Sequence, residues 1–258
     1  MIGAILVTGN HPRHFYVAAK LSESVNLKKV FVENRGAITP EFVDDLTGRV
    51  GQIARLHYGD REDWEHRFES TPRQDTNFVN KSNWSDVADA LSLGDVQVVF
   101  TFGCSLVPSS LLDSKGVKFI NFHGGLSPWY KGALTTFWPS YFLQPERTGY
   151  TIHETTEHID GGRMFARVPI SLDQGLSLNG IAFNATLEFS KSLPDLIRHI
   201  EVTLQSGVPP KQQGSGKLFL STDWSPAHLL HIYEEMENRP LLYASSLREL
   251  ELRCIELL

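Results

Sequence analysis

Apolar runs that end abruptly in polar or glycine-rich loops set the tightest limit on how this chain folds. Ile2–Val7, Val96–Phe100 and Val117–Ile120 are nearly unbroken hydrophobic segments of strand length. A strand with one wet face alternates, whereas a strand covered on both faces does not, and that second pattern belongs to parallel strands flanked by helices. Lys29–Val32 reads as a further strand. Helices are expected over Phe15–Leu21 with Pro12 near the first turn, over Thr39–Leu46 with Thr39 as N-cap and Pro40 at N1, and over Ser85–Leu91 with Gly94 as its stop. The polar stretch 58–83 has little period; a surface helix over Arg61–Phe68 is expected there, and loop elsewhere.

Farther on, Leu134, Phe137, Trp138, Tyr141 and Phe142 recur at helical spacing within Ala133–Leu143, an aromatic stripe that reads as core, with Thr135 or Thr136 near its start. Gly149–His153 and Met164–Ile170 alternate as strands, and Leu176–Leu204 is a long amphipathic helix with a break expected near Pro194. The composition shifts at Ser206 to a Gly-, Pro- and Gln-rich linker. A short strand (Lys217–Leu220) and two helices (Pro226–Glu237 and Ser245–Leu257) follow it. The expected class is α/β, a doubly wound, Rossmann-like, mostly parallel sheet over 1–205, with a small C-terminal appendage over 206–258. Leu229, Leu230, Ile232, Tyr233, Leu241 and Leu242 give that appendage more apolar surface than free helices expose, so it should pack on the main body or build a homodimer contact.

Composition excludes several functions. A net charge of −6 and a pI near 5.9 argue against a nucleic-acid partner held by bulk electrostatics. Two cysteines, Cys104 and Cys254, are far apart and form no CxxC pair, so neither a disulfide framework nor a cysteine metal site is indicated, and a reducing cytoplasm is the expected setting. No apolar run approaches the length of a membrane span, and Met1–Val7 lacks the basic start of a signal peptide. His123, His153, His158 and Asp160 lack HxH or HxxxH spacing on one element, so no metal is expected.

The loops that follow the strands carry the chemistry, since open α/β sheets bind ligands beyond the carboxyl ends of their strands. Thr8–His14 follows the first strand, and there Arg13, helped by Asn10 and the free N–H groups of the next helix, is a candidate phosphate holder. No Gly-x-Gly-x-x-Gly is present, which argues against a dinucleotide. Asn121 and His123 stand two residues apart at the end of the third apolar run, so on an extended segment they share a face. Asp160 follows in the loop after the Tyr150–Ile152 segment. An amide, an imidazole and a carboxylate hold no obvious nucleophile, but they suit attack by a bound amine on a bound carbonyl. The amide would donate to the developing oxyanion, the imidazole would accept a proton or steady that oxyanion, and the carboxylate would hold the imidazole or a relaying water. His153 reads as a supporting strand histidine, and Cys104, with no base in its motif, as a small buried apolar residue.

Four segments, Asn121-Phe122-His123, Leu126-Ser127-Pro128-Trp129-Tyr130-Lys131-Gly132, Gly149-Tyr150-Thr151-Ile152-His153 and Asp160-Gly161-Gly162, occur in order and at ordinary spacing. Together they resemble the formyltransferase family that uses 10-formyltetrahydrofolate, over roughly residues 96–200. The resemblance implies that Asn121, His123 and Asp160 are the catalytic trio. It also implies a folate pocket walled by Phe102, Gly103, Cys104 and Leu106, with His158 and Gly161, and a substrate side with Asn10, Arg13, Tyr130 and Lys131. Among acceptors, the Gly9-Asn10-His11-Pro12-Arg13 loop departs from the Gly-x-Gly-Ser-Asn loop of the glycinamide ribonucleotide enzymes. The short acidic tail departs from the sizeable basic domain of the methionyl-tRNA enzymes. The formyltetrahydrofolate hydrolases carry an extra N-terminal regulatory domain, for which a chain opening on its first strand is not expected to have room. The closest likeness is to bacterial sugar N-formyltransferases, which act on amino-sugar nucleotides that become cell-surface polysaccharide such as lipopolysaccharide. A folate- or nucleotide-binding module of the same fold is the non-enzymatic alternative; the intact trio favours catalysis.

Overall fold

In the computed structural model, residues 1–69, 78–80, 83–92, 94–171, 173, 175–245 and 256–257 are described. Strand β1 (Gly3–Thr8) leads into helix α1 (Pro12–Ser22) and strand β2 (Asn26–Val32). Helices α2 (Phe42–Asp45) and α3 (Gly48–Glu69), strand β3 (Phe78–Asn80) and helix α4 (Ser85–Ser92) follow. Next come β4 (Val98–Phe102), α5 (Ser109–Leu112), β5 (Lys118–His123), β6 (Tyr130–Gly132), α6 (Trp138–Tyr141), β7 (Gly149–Glu154), β8 (Met164–Pro169) and the long α7 (Leu178–Ser206). The chain closes with β9 (Lys217–Phe219), α8 (His228–Leu230), which widens into a π-helical turn over His231–Glu235, α9 (Pro240–Ser245) and β10 (Glu256–Leu257).

Among the described residues, eight strands form one sheet in the order β10-β8-β7-β5-β4-β1-β2-β3, and β6 pairs with β9 in a second, two-stranded sheet. From β3 to β5 the pairings are parallel; β7, β8 and β10 extend the sheet antiparallel. This is the expected doubly wound arrangement. One face packs on α1 and α7 through Leu6, Val17, Phe100, Phe122, Phe189 and Leu193, and the other carries Ile5, Val7, Phe31, Val87 and Val99. No helix among the described residues is long and apolar enough to cross a membrane.

Several local expectations change. The helix over Thr39–Leu46 shrinks to α2, because the Thr39 hydroxyl donates to Glu62 instead of capping and Leu46 turns extended. The chain restarts at Gly48, in the left-handed region, as a helix of 22 residues where only Arg61–Phe68 was expected. Far from being a surface helix, α3 buries Ile53, Ala54, His57, Tyr58 and Phe68. Strand β3 falls where loop was expected, and part of 58–83 lies outside the described residues. The Ala133–Leu143 segment is helical only over α6, with Leu134 and Leu143 in the left-handed region; its aromatics are nevertheless core, Phe137 and Trp138 being buried. Helix α7 runs unbroken through Pro194. An internal proline costs about 3 kcal/mol, but Phe189, Leu193, Leu196 and Ile197 flank it fully buried, each stabilising by about 2 kcal/mol. Of the helix expected over Ser245–Leu257, 246–255 lies outside the described residues, and Glu256–Leu257 instead pairs with Ala166 and Arg167.

The appendage packs on the main body. Phe219 is 1% exposed and stacks between Trp138 (4.7 Å) and Tyr130 (5.8 Å), while β9 pairs with β6 in parallel. Leu229, Ile232 and Met236 complete the same cluster. Truncating Phe219 to Ala is expected to cost about 3–5 kcal/mol in urea unfolding and to open 207–225 to protease; a loss below about 1 kcal/mol would show that the tail docks through other contacts.

Candidate active site

Strand pairing builds the centre of the site. Register places Thr101 of β4 opposite Asn121 of β5, and Asn121 opposite His153 of β7, so three side chains form one row across the carboxyl edge. The Thr101 hydroxyl donates to Asn121 Oδ1 at 2.9 Å, which turns the Asn121 amide nitrogen toward acceptors. Nδ2 donates to Asp160 Oδ1 at 3.2 Å and lies 3.3 Å from His153 Nε2. Because His153 Nδ1 donates to the Glu154 carbonyl (2.8 Å), Nε2 is left with its lone pair to receive the second Asn121 N–H.

His123, two residues along the same face, is 6% exposed. Its Nε2–H donates to the Tyr130 carbonyl at 2.9 Å, and its Nδ1 faces Asp160 Oδ2 at 3.3 Å. The lone pair is therefore on the nitrogen beside the carboxylate, and a proton arriving there is shared with Asp160. Gly125 is required for this approach: a Cβ on it would meet His123 Nε2 at 2.7 Å and Thr135 at 2.8 Å.

Asp160 sits in the left-handed region (φ 46°), a conformation that Asp tolerates. Its Oδ2 also accepts the Gly132 N–H at 2.7 Å. Burial alone would raise this carboxyl, but the His123 and His153 rings and the Gly132 N–H outweigh it and hold it at about 2. Burial pulls His123 below its ordinary value, with the Asp160 carboxylate opposing. At neutral pH the pair is thus a carboxylate beside a neutral imidazole.

The trio opens into a cavity of about 750 Å³, a size typical of small-molecule sites. Phe102, Gly103, Cys104, Leu106 and His158 line it with Asn121, His123 and Asp160, as do Thr135 and Thr136. Four sequence candidates do not. Asn10 turns aside to Asn34 and the Arg35 N–H. The Tyr130 hydroxyl donates to Gln144, and neither Lys131 nor Gly161 reaches the wall. Arg13 lines the cavity, but its guanidinium pairs with Glu65, whose second oxygen accepts the Arg13 N–H at 3.1 Å. A carboxylate of the chain itself thus occupies the helix start that was expected to receive a phosphate.

Two contributions were not anticipated from sequence. Helix α3 supplies a whole wall of the cavity, including His57, Tyr58, Arg61, Trp64 and Glu65. Gln212, in the linker, donates to the Asp160 carbonyl at 2.9 Å and the Gly162 carbonyl at 2.8 Å, so it braces the Asp160 loop from behind.

A family model described as formyl transferase matches residues 66–191, which contain Asn121, His123 and Asp160. That segment belongs to the formyl transferase family. Over 132 residues the chain is 32% identical to the methionyl-tRNA formyltransferase of Thermus thermophilus, covering 48% of this chain and 42% of that protein. The chain thus spans less than half the length of the curated relatives it matches. Among solved structures, it is similar to an N-formyltransferase from Helicobacter canadensis in complex with folinic acid and dTDP-3-aminofucose (TM-score 0.56, 17% identity, 87% of this chain and 73% of that one). It is likewise similar to the phosphoribosylglycinamide formyltransferase of Anaplasma phagocytophilum (TM-score 0.56, 17% identity, 85% and 98%). At these identities the likeness is one of fold.

Two measurements check the geometry of the site. Gln212→Ala removes both braces and is expected to lower stability by about 1–2 kcal/mol and to speed amide exchange at Gly161 and Gly162; unchanged exchange would show that the loop holds itself. The second concerns pH. Burial pulls down His11 (to about 4), His57 (to about 3), His14 and His123, all from 6.5. Each takes a proton only in the unfolded chain, so their stabilisation is complete above pH 6.5 and is lost below it, by about 1.4 kcal/mol per pH unit for each ring. Asp160, also depressed, contributes above its unfolded value near 3.8 and loses that contribution as pH falls toward 2. Urea midpoints should therefore drop steeply between about pH 6.5 and 5, and a flat profile there would contradict the buried neutral rings.

Proposed function

We propose that this chain transfers a formyl group from 10-formyltetrahydrofolate to the primary amine of a nucleotide-linked amino-deoxysugar, a precursor of cell-surface polysaccharide. The convergence of Asn121, His123 and Asp160 on the wall of one cavity, inside a formyl transferase segment, carries the reading. The cavity fits a folate. Leu106 (72% exposed) and Leu134 (42% exposed) offer apolar surface along its wall, where a flat ring can cover them. Gly103, also on the wall, leaves its backbone bare beside His14, where a Cβ would meet Nε2 at 2.6 Å.

When bound, 10-formyltetrahydrofolate supplies an electrophilic formyl carbon. Asn121 then turns one N–H, the weaker one toward His153, to the formyl oxygen as it gains negative charge. His123 Nδ1, neutral at pH 7, takes the proton that the amine loses as its nitrogen bonds to the carbon, and gives it to the folate nitrogen as the bond from that nitrogen to the carbon breaks, so the ring ends neutral. Asp160 holds that proton on the ring by charge. Because the acceptor attacks as a free amine, the rate should rise with pH toward neutrality or above.

The matched relatives favour a second acceptor, methionyl-tRNA; the net charge of −6 favours the sugar. The deciding experiment offers formyl donor with GDP-, dTDP- and UDP-linked amino sugars, initiator methionyl-tRNA and glycinamide ribonucleotide, and looks for a formyl mass gain. Turnover with either of the last two and none with the sugars would replace the reading. We also include a homodimer in this proposal, supported by Leu218, Leu220 and Leu242 exposed on the tail, and sedimentation of the full chain tests it.

Asn121→Ala is expected to lower kcat by about a hundredfold or more, with KM nearly unchanged. Asn121→Asp should be no better, since it sets a second carboxyl where the amide met Asp160 at 3.2 Å. Near-normal kcat with raised KM in Asn121→Ala, His123→Ala and Asp160→Ala would make this row a binding wall instead.

A further inference from the structure

Helix α3 carries a cation that the transfer step does not use. Arg61 is half-buried, lines the cavity, and makes no hydrogen bond or ion pair among the described residues. Its surroundings explain why it has no partner. Glu65, one turn along the same helix, is taken by the guanidinium and the backbone N–H of Arg13. His11 donates from Nε2 to the Gly36 carbonyl and offers Nδ1 to Arg13, and both His11 and His14 are held neutral at pH 7 by burial. Arg13 is thus balanced by Glu65, and the positive charge of Arg61 is left over. Burial, with Arg13 nearby, pulls Arg61 down only to about 10, so it remains charged. An uncompensated, partly desolvated guanidinium weakens a fold rather than supporting it, and such groups persist where a ligand completes them.

We propose that Arg61 anchors an anion subsite in this cavity and binds a phosphoryl or carboxylate oxygen of a bound ligand, with the Arg13–Glu65 pair as the brace beside it. Given the proposed function, on which the naming of the two sources rests, the anion is either the diphosphate of the acceptor or the carboxylate tail of the folate. A guanidinium presents paired N–H donors that match both groups. Residue 61 lies outside the matched segment 66–191, so the subsite is a property of this chain's own N-terminal region.

The test is titration calorimetry of the full chain at low salt with inorganic pyrophosphate and, separately, with folinic acid, on wild type, Arg61→Met, Arg61→Lys and the surface control Arg198→Gln. Arg61→Met should weaken one of the two ligands by about tenfold or more, and which one identifies the source. Arg61→Lys should recover part of the affinity, and the control should match wild type. The thermal midpoint of Arg61→Met should stay level or rise, because an unpaired charge has been removed; a purely structural arginine would lower it. Undiminished binding of both ligands by Arg61→Met, binding of neither by wild type, or a midpoint lowered by more than about 5 °C would each overturn the proposal. These binding readouts do not depend on formyl transfer, so absence of turnover with every acceptor would sink the proposed function and leave the subsite standing.

Discussion

A buried carboxylate must be satisfied from several directions at once, and Asp160 imposes that requirement on this fold. At 8% exposure it cannot rely on water. Its two hydrogen-bond donors come from distant parts of the chain, the Asn121 amide on β5 and the Gly132 N–H at the end of β6, and the rings of His123 and His153 face its two oxygens. Each in turn has its own support. Thr101 aligns Asn121, the Tyr130 carbonyl orients His123, and Gln212 holds the main chain of Asp160 itself. Removing either donor leaves the charge short of a partner, so the carboxyl-edge loops, the small sheet and the linker form one cooperative unit.

That dependence gives the C-terminal segment its place. β9 runs beside β6, whose Gly132 supplies an Asp160 donor, and a Cβ at Gly132 would meet the Phe219 carbonyl at 2.1 Å. The two backbones approach so closely that only glycine, here with φ +86°, fits between them. The tail therefore supports the site through backbone contact and through the aromatic stack of Tyr130, Phe219 and Trp138.

What was legible in the sequence follows the range of the interactions. The period of two that puts Asn121 and His123 on one face is local, and the apolar strands announced their buried positions, so the sheet and most of the trio could be read directly. Helix α3 could not. Its inward face repeats at helical spacing, but His57, Tyr58, Arg61 and Glu65 interrupt the apolar pattern because that face is a cavity wall instead of core. The Arg13–Glu65 pair spans 52 residues and the Gln212–Asp160 bond also spans 52, distances at which spacing carries no signal. The aromatic stripe of 133–143 was read correctly as core and wrongly as helix. Its side chains pack around Phe219, and Leu134 and Leu143 adopt left-handed backbone to bring them there.

The electrostatics of the site divide along the same line. Around Asp160, partners outnumber the charge, and the carboxyl is held ionised at about 2 while burial keeps His123 neutral, which separates an ion from a base at neutral pH. Around Arg61 the count runs the other way: Glu65 is occupied by Arg13, and the two nearby histidines are kept from ionising. The trio is thus complete within the chain and suited to moving a proton, while Arg61 on the same cavity carries unbalanced positive charge and is suited to holding an anion. A ligand with a neutral reacting end and an anionic remote end would bind across both in one orientation, because reversing it would set its negative charge against Asp160. Orientation would then come from charge at a distance from the reacting atoms, leaving Asn121 and His123 free to act on the transition state.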